Sequence, residues 1–175
     1  MKNVIKFILF LLIATPSVFA QMNAKEFEKF QLRALNKVNK FGVFVWDVDL
    51  AKKDPAFKEV FSTKTITDFV YDKLKKLKLN AVSFDEAGDL PGGPSLDVFT
   101  TAQTNKDADK VACNVILRFV QDVQLARNTK ILHYSASTWT KNKLFYVDRE
   151  SAAAMFFEEL ENMIKEFAKE YRRAN

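Results

Sequence analysis

The 175-residue sequence contains a single cysteine and a single histidine, Cys113 and His133. One cysteine cannot form an intramolecular disulfide, and these two residues are too few for the usual ligand sets of zinc. A serine or cysteine nucleophile generally needs a nearby base. Ser135 and Ser137 follow His133 at intervals of two, and residues at that interval in one strand point the same way rather than at each other. We therefore predict that His133 bonds locally and is not part of a catalytic centre.

Glycine and proline are scarce, with four of each, whereas phenylalanine occurs 17 times, which indicates an aromatic core and few tight turns. Residues 85–94, DEAGDLPGGP, hold three of the glycines and two of the prolines, and they are predicted to form a loop. The PGGP segment lacks the lysine and the following helix of a phosphate-binding loop. The loop is therefore not expected to hold a nucleotide.

Carboxylates occur in this loop and at the end of the first predicted strand, at Asp85, Glu86, Asp89, Asp47 and Asp49. Loops at the carboxyl edge of parallel strands are common ligand sites, and oxygen ligands suit calcium or magnesium. Loop carboxylates are more often solvated, and no spacing here matches a known calcium loop. We predict no metal and no cofactor, with a hard-cation site as the minority alternative.

The first twenty residues have the pattern of a secretory signal peptide. Two lysines precede an unbroken apolar run at 7–14, Pro16 follows, and Val18-Phe19-Ala20 resembles a cleavage site. The run is well short of the ~20 residues that span a bilayer, which disfavours an uncleaved anchor. We therefore expect a signal peptide at 1–20, a single mature domain at 21–175, and a periplasmic or secreted location.

Net charge also limits the partners. The formal charge is +5, and it falls to +3 when Lys2 and Lys6 are removed with the signal peptide. So small a charge, together with export, argues against nucleic acid as a partner.

A period-2 pattern marks the central element of the fold. From Val111 to Leu125, apolar side chains at alternate positions, Cys113 and Leu117 among them, face polar ones, as in a strand with one dry and one wet face. A second β-rich run, residues 131–140, follows a polar connection. The pair predicts a long antiparallel hairpin. Lys141 to Lys143 are expected to break it, with 144–147 as a short extra strand.

Other segments complete an α+β fold. A helix is predicted at 24–39, an interior strand at 41–48, and a helix capped by Ser62 or Thr63 with an apolar stripe from Ile66 to Leu77. A strand at 81–84 closes a right-handed βαβ unit, and a wide apolar stripe marks a final helix after Ser151. The predicted architecture is a two-layer sandwich, a mostly antiparallel sheet with helices packed on one face, in the order (α)-β-α-β-β-β-β-α.

Segments covering about two thirds of the chain resemble a family of uncharacterised secreted bacterial proteins. The matching stretches are Leu77–Phe84, Pro91–Phe99, LRFVQDVQLAR at 117–127, Ser137-Thr138-Trp139 and FAKEYRRAN at 167–175. Residues 141–147 depart from the short Gly-rich turn of that pattern. The resemblance implies an envelope or secreted domain and no established activity.

We expect a non-enzymatic module that binds an envelope protein or envelope component. The predicted contact surface is the wet face of the hairpin, at Arg118, Asp122, Gln124 and Arg127, because arginine pairs well with carboxylates and phosphates. Alternatives are a carrier that holds an apolar ligand between helices and sheet, and a carboxylate-based hydrolase.

Two further features each have a structural and a functional interpretation. Lysines at 73–78 are expected to satisfy a helix C-terminus, with anionic lipid or lipopolysaccharide as the alternative partner. Trp46 and Trp139 are expected in the core, with a ligand cleft as the alternative.

Overall fold

The computed structural model describes residues 24–46, 57–58, 60–105, 109–125 and 128–175. The predicted signal peptide and the predicted carboxylates Asp47 and Asp49 lie outside these residues. The elements are α1 (Ala24–Leu35), β1 (Phe41–Val45), α2 (Thr63–Lys76), β2 (Ala81–Val82), α3 (Phe84–Gly88), β3 (Ser95–Asn105), β4 (Lys110–Leu125), β5 (Asn128–Asp148) and α4 (Ala152–Ala174), with a 3-10 turn at Arg149–Ser151.

The five strands form one mixed sheet in the order β2-β1-β3-β4-β5. Strand β1 is parallel to β2 and to β3, so the predicted parallel βαβ unit is confirmed. Strands β3, β4 and β5 pair antiparallel. The predicted α+β class is therefore confirmed, and the order of elements differs mainly by the short helix α3.

The β4–β5 hairpin is longer than predicted, because β5 continues without a break through Lys141 and Lys143. These lysines point towards α4, where Lys141 Nζ lies 3.3 Å from a carboxylate oxygen of Glu166 and Lys143 Nζ lies 3.4 Å from one of Glu159. An edge strand tolerates such charges. The polar run therefore marks the sheet edge rather than the end of a strand.

Three register shifts interrupt the far part of the hairpin. They lie between Phe119 and Val120, between Gln121 and Val123, and between Gln124 and Leu125. Ser135 has a φ of 51° at the second shift, and its backbone N–H donates to Asp122 Oδ1 at 2.9 Å. The carboxylate thus stabilises a bulge, the feature expected where one strand carries an extra residue.

The predicted loop at 85–94 begins with helix α3, a correction to the prediction. The Ser83 hydroxyl accepts from the backbone N–H of Glu86 at 3.1 Å and caps the helix. The helix packs closely on β1 at Gly42, where an added Cβ would lie 2.7 Å from Ala87 Cβ. Because Gly42 alternates with the buried Phe41 and Val43, α3 lies on the sheet face opposite α2 and α4.

Helices α2 and α4 cover the other face, as their apolar stripes predict. Ser62 caps α2, accepting from the N–H of Thr65 at 3.1 Å, and Ile66 is fully buried. Rings from three elements meet over the sheet. The ring of Phe41 lies 5.6 Å from that of Phe119 and 5.5 Å from that of Phe167. This aromatic cluster forms the core between sheet and helices.

Helix α1 is docked on the same side of the sheet. Leu35 is fully buried, the Gln121 side chain donates to the carbonyl of Ala34 at 2.8 Å, and Arg173 pairs with Glu28 at 2.9 Å. Among the described residues, no helix is long and apolar enough to cross a membrane.

Candidate functional site

In the part of the chain that the structure describes, α3 is the one helix on the sheet face opposite α2 and α4, which we call the outer face. Side chains alternate along each strand, so the outer face carries Phe44 of β1, Asp97 and Phe99 of β3, and Arg118 of β4. Helix α3 covers only the β1 end of it. Apart from the buried Asp97, these side chains are half-buried, and they line a surface that crosses three strands.

A chain of ring contacts, which we call the aromatic array, crosses this face from α3 to β3. The ring of Phe84 lies 4.7 Å from that of Phe44, which lies 5.0 Å from the Trp46 ring. The Trp46 indole is in turn stacked on Phe99, at 4.8 Å between ring centroids and 16° between planes. Trp46 is 45% exposed and Phe84 is 48% exposed. Large rings held by one another yet half open to solvent are a typical preformed contact surface.

Asp97 fixes the orientation of the indole. Its Oδ2 accepts from Trp46 Nε1 at 3.1 Å, and its Oδ1 accepts from the Ser95 hydroxyl at 2.7 Å. Asp97 is only 5% exposed, and a buried carboxylate requires such donors. Trp46 is consequently positioned by a hydrogen bond as well as by stacking, although it is not a core residue. The expectation that it packs in the core is wrong, whereas Trp139, at 1% exposure, is in the core as predicted.

Arg118 closes the array on β4. Its guanidinium carbon lies 3.8 Å from the centroid of the Phe99 ring, a cation–π contact. Arg118 is opposite Asp97 in the strand register, but within the described part of the chain no ion pair joins them. Arg118 Nε is buried and has no hydrogen-bond partner among the described residues. The side chain as a whole is only half-buried, so part of it stays open to solvent.

The same face continues onto β5 with two exposed apolar side chains. Leu144 is 72% exposed and Tyr146 is 60% exposed. They lie opposite Asn114 and Ala112 of β4. The Asn114 Oδ1 atom is buried without a partner, like Arg118 Nε. Two apolar regions thus flank a strand that carries two unpaired polar atoms.

No protein-family model, curated protein or solved structure matches this chain. The outer face carries an arginine held on an aromatic ring, a buried amide oxygen without a described partner and half-exposed aromatic rings.

The predicted contact residues share the expected face only in part. Arg118 lies on the outer face, and Gln124 is exposed further along β4. The Asp122 carboxylate is engaged at the bulge, as described above. Arg127 lies outside the described residues. The structure thus brings Arg118 next to aromatic rings rather than next to the other predicted polar residues.

The remaining candidate side chains form no reactive cluster. His133 is exposed, and its Nδ1 lies 3.0 Å from the carbonyl oxygen of Tyr134, a local contact as predicted. Asp85, Glu86 and Asp89 are all exposed, and no group of three His, Cys, Asp or Glu side chains in the described ranges could hold a metal. Cys113 is buried on the apolar face as expected, and burial raises the pKa of its thiol to about 11.

A cleft of about 560 Å³ lies between α1, α4 and β5. Its charged side chains largely pair with one another. Glu28 pairs with Arg173 at 2.9 Å, and Glu170 accepts from Trp139 Nε1 at 2.8 Å. These contacts join α1, α4 and β5, so they indicate a structural role for the cleft.

Sequence analysis missed the aromatic array, although one signal was present. Phe99 falls on the polar side of the alternation of β3, between Val98 and Thr100, which are both buried. An aromatic residue on a wet face marks a contact surface. The other members of the array come from β1, α3 and β4. The strand pairing that brings them next to Phe99 cannot be predicted from the sequence.

Proposed function

We propose that this chain is an exported, non-enzymatic module that captures a protein partner of the bacterial envelope on its outer face. One observation carries the proposal: Arg118 is held on the Phe99 ring with its Nε atom buried and unpaired, beside the half-exposed Trp46. A buried donor without an acceptor destabilises the protein by about 1–3 kcal/mol. Because Arg118 as a whole is only half-buried, a carboxylate of the partner can pair with the open part of its guanidinium, and such charge-assisted hydrogen bonds are among the stronger ones.

The composition of the surface favours a protein as the occupant. Arginine, tryptophan and tyrosine dominate the binding energy of protein interfaces, and Arg118, Trp46 and Tyr146 all lie on this face. Leu144 adds an exposed aliphatic side chain, at 72% exposure, which favours apolar side chains of a partner. The partner is expected to present a carboxylate to Arg118 and a donor to Asn114, between apolar side chains that cover the array and Leu144.

The proposal that the protein is exported is based on its sequence. The segment 1–20 has the charged start, short apolar run and cleavage pattern of a signal peptide, and the resemblance described above points to secreted bacterial proteins. A periplasmic or secreted binding module is the function that these features jointly support.

The alternative of an apolar carrier finds less support. The space between sheet and helices is filled by rings that are at most 1% exposed, among them Phe41, Phe119, Phe156 and Phe167. An apolar ligand there would have to displace close-packed side chains. The outer face already presents its apolar groups to solvent and needs no such rearrangement.

Site-specific photo-crosslinking in intact cells tests the proposal. A photoreactive residue at Leu144 should yield a defined adduct with another envelope protein. Arg118→Glu should abolish the adduct, because it places a negative charge opposite the expected carboxylate. Lys29→Glu makes the same change of charge at an exposed position of α1 and should leave the adduct intact. His133→Ala should leave it intact as well.

A charge exchange makes the test specific. Once mass spectrometry identifies the adduct, reversing the contacting carboxylate of the partner to arginine should restore crosslinking to Arg118→Glu. An adduct that Arg118→Glu leaves unchanged would overturn the proposal. An adduct with the mass of two copies of this chain would assign the outer face to self-association instead. Loss of function in a folded His133→Ala variant would indicate an enzyme.

A further inference from the structure

Three helices end at one end of the molecule, where their cations gather. The Tyr171 hydroxyl of α4 donates to the carbonyl of Val38, which follows α1, and the Arg172 guanidinium donates to the carbonyl of Leu77, which follows α2. The N–H of Phe41 donates to the carbonyl of Asn80 at 3.4 Å, which joins the two loops to each other. We call this region the basic end, and its cations are Lys37, Lys40, Lys75, Lys76, Lys78 and Arg172.

Three of these cations make neither an ion pair nor a side-chain hydrogen bond with the described residues, whereas Arg172 donates to a carbonyl. Lys37, Lys75 and Lys78 are exposed, and none has a carboxylate partner among the residues that the structure describes. Two of the acidic side chains nearby already form ion pairs. Glu86 Oε1 lies 3.6 Å from Lys40 Nζ, and Asp72 Oδ2 lies 2.6 Å from Lys76 Nζ. Asp89 is exposed on the adjoining loop. A net positive charge therefore remains at this end.

The backbone at two of the lysines is unusual. Lys37 has a φ of 65° and Lys78 a φ of 57°, and each stands just beyond a helix, where the left-handed conformation normally selects glycine. A helix C-terminus does favour a cation, but Lys75 and Lys76 supply that charge to α2 within its regular last turn. Lysine in place of glycine is thus costly to the backbone at both positions, and such strain often marks a functional position.

The exposed side chains of both loops are chemically uniform. In residues 36–40 they are two asparagines and two lysines, and in residues 77–80 they are Lys78 and Asn80. Val38, Leu77 and Leu79 are only partly exposed. A protein interface would be expected to show aromatic or apolar anchors here. Lysines alone are compact point charges, and they suit a dense array of phosphates without fixed geometry.

We propose that the basic end binds the surface of an anionic phospholipid membrane. The ends of α1 and α2 present their lysines together, so several can meet headgroup phosphates at once, with an attraction of about 1 kcal/mol for each lysine near the surface. The contact is peripheral, because the loops offer no exposed apolar residue for insertion. It does not depend on the outer face, so the chain could hold its protein partner at a membrane.

Vesicle co-sedimentation tests this with the processed protein as purified from cells. The protein should bind phosphatidylglycerol vesicles at low salt, bind phosphatidylcholine vesicles far less, and dissociate at high salt, because screening weakens exposed charges. Lys37→Gln with Lys78→Gln should weaken binding about 25-fold, fivefold per lysine.

The matched control is Lys25→Gln with Lys64→Gln, which removes the same charge from the opposite ends of the same two helices. This variant should bind almost as tightly as the unmodified protein. Lys37→Gly with Lys78→Gly separates charge from folding: it should bind as weakly as the glutamine pair but unfold at a higher temperature, because glycine relieves the left-handed backbone.

Each of three outcomes would overturn the proposal. The first is equal weakening by the two glutamine pairs, which would mean a response to net charge alone. The second is equal binding to the two kinds of vesicle. The third is binding to soluble polyglutamate without binding to phosphatidylglycerol, which would assign the basic end to an acidic protein.

Discussion

The close approach of α3 to β1 predicts that Gly42→Ala destabilises the protein and disturbs the outer face. A Cβ at Gly42 would lie 2.7 Å from Ala87 Cβ, 3.2 Å from Phe84 Cα and 3.4 Å from the carbonyl oxygen of Ser83. The first distance is far below van der Waals contact. Two of the three contacts are with backbone, which cannot move aside as a flexible side chain does.

The loss of stability in Gly42→Ala depends on which part of the structure must move to relieve the clash. Ala87 is only 2% exposed and its Cβ is fixed to the helix backbone, so the helix as a whole must shift away from β1. Overpacking of this kind costs about 1–3 kcal/mol, and we expect a value near the upper end because backbone must move. For a domain of this size that corresponds to a loss of about 4–10 °C in Tm. Phe84 would move with the helix, so its ring contact with Phe44 should weaken too.

The assay is a double-mutant cycle followed by urea unfolding. Ala87→Gly alone should cost about 1 kcal/mol, because glycine is a poor helix residue. In the double variant the new methyl group takes the place of the deleted one, so the combined loss should be smaller than the sum by about 1–2 kcal/mol. Strictly additive losses, or a Gly42→Ala variant as stable as the original, would show that α3 does not pack on β1 as described.

Four further predictions concern single sites. Leu117→Ala should cost about 3–5 kcal/mol in urea unfolding because this leucine is fully buried, whereas Arg118→Ala on the other face should change stability by less than about 1 kcal/mol, because removal of a buried unpaired donor offsets the lost cation–π contact; equal losses would contradict the face assignment. Lys165 and Lys73 lower the pKa of Glu161 to about 2, so its stabilisation should be present at neutral pH and vanish as pH falls from the ordinary carboxylate range to about 2; Glu161→Gln should reduce that acid dependence, and an unchanged pH profile would argue against the pairing. The Cys113 thiol, with its pKa raised to about 11 by burial, should react with a thiol reagent only after unfolding, and rapid labelling of the native protein would contradict its burial. N-terminal sequencing of the exported protein should begin at Gln21, and recovery of the full-length chain in the inner membrane would contradict cleavage.

Periodicity made the main elements predictable. The alternation of β4 and the stripe of α2 both arise from burial on one side only, and burial on one side imposes a repeat that the sequence displays. The parallel βαβ unit followed from handedness and loop length. For the same reason Leu117 and Cys113 were assigned correctly to the apolar face.

Three misassignments share a physical cause. Lys141 and Lys143 were predicted to end the strand because the carboxylates that pair with them come from α4, which is distant in sequence. Trp46 was predicted to be buried because its exposure depends on the position at which β1 ends. Helix α3 is too short to show a helical period, and its cap at Ser83 was concealed within a strand prediction. Each depends on contacts distant in sequence, and no local pattern reports those contacts.

Within β4, the buried polar atoms without a described partner lie on the outer face only. On the inner face of β4 the residues Val111, Val115 and Leu117 are fully buried, so changes there should act mainly on folding. On its outer face Asn114 and Arg118 each leave a buried polar atom unpaired, although apolar residues at those positions would avoid the cost. A strand that served folding alone would gain nothing from these two residues. Under the proposed function their side chains contribute to binding the partner, so substitutions at Asn114 and Arg118 should change affinity more than stability.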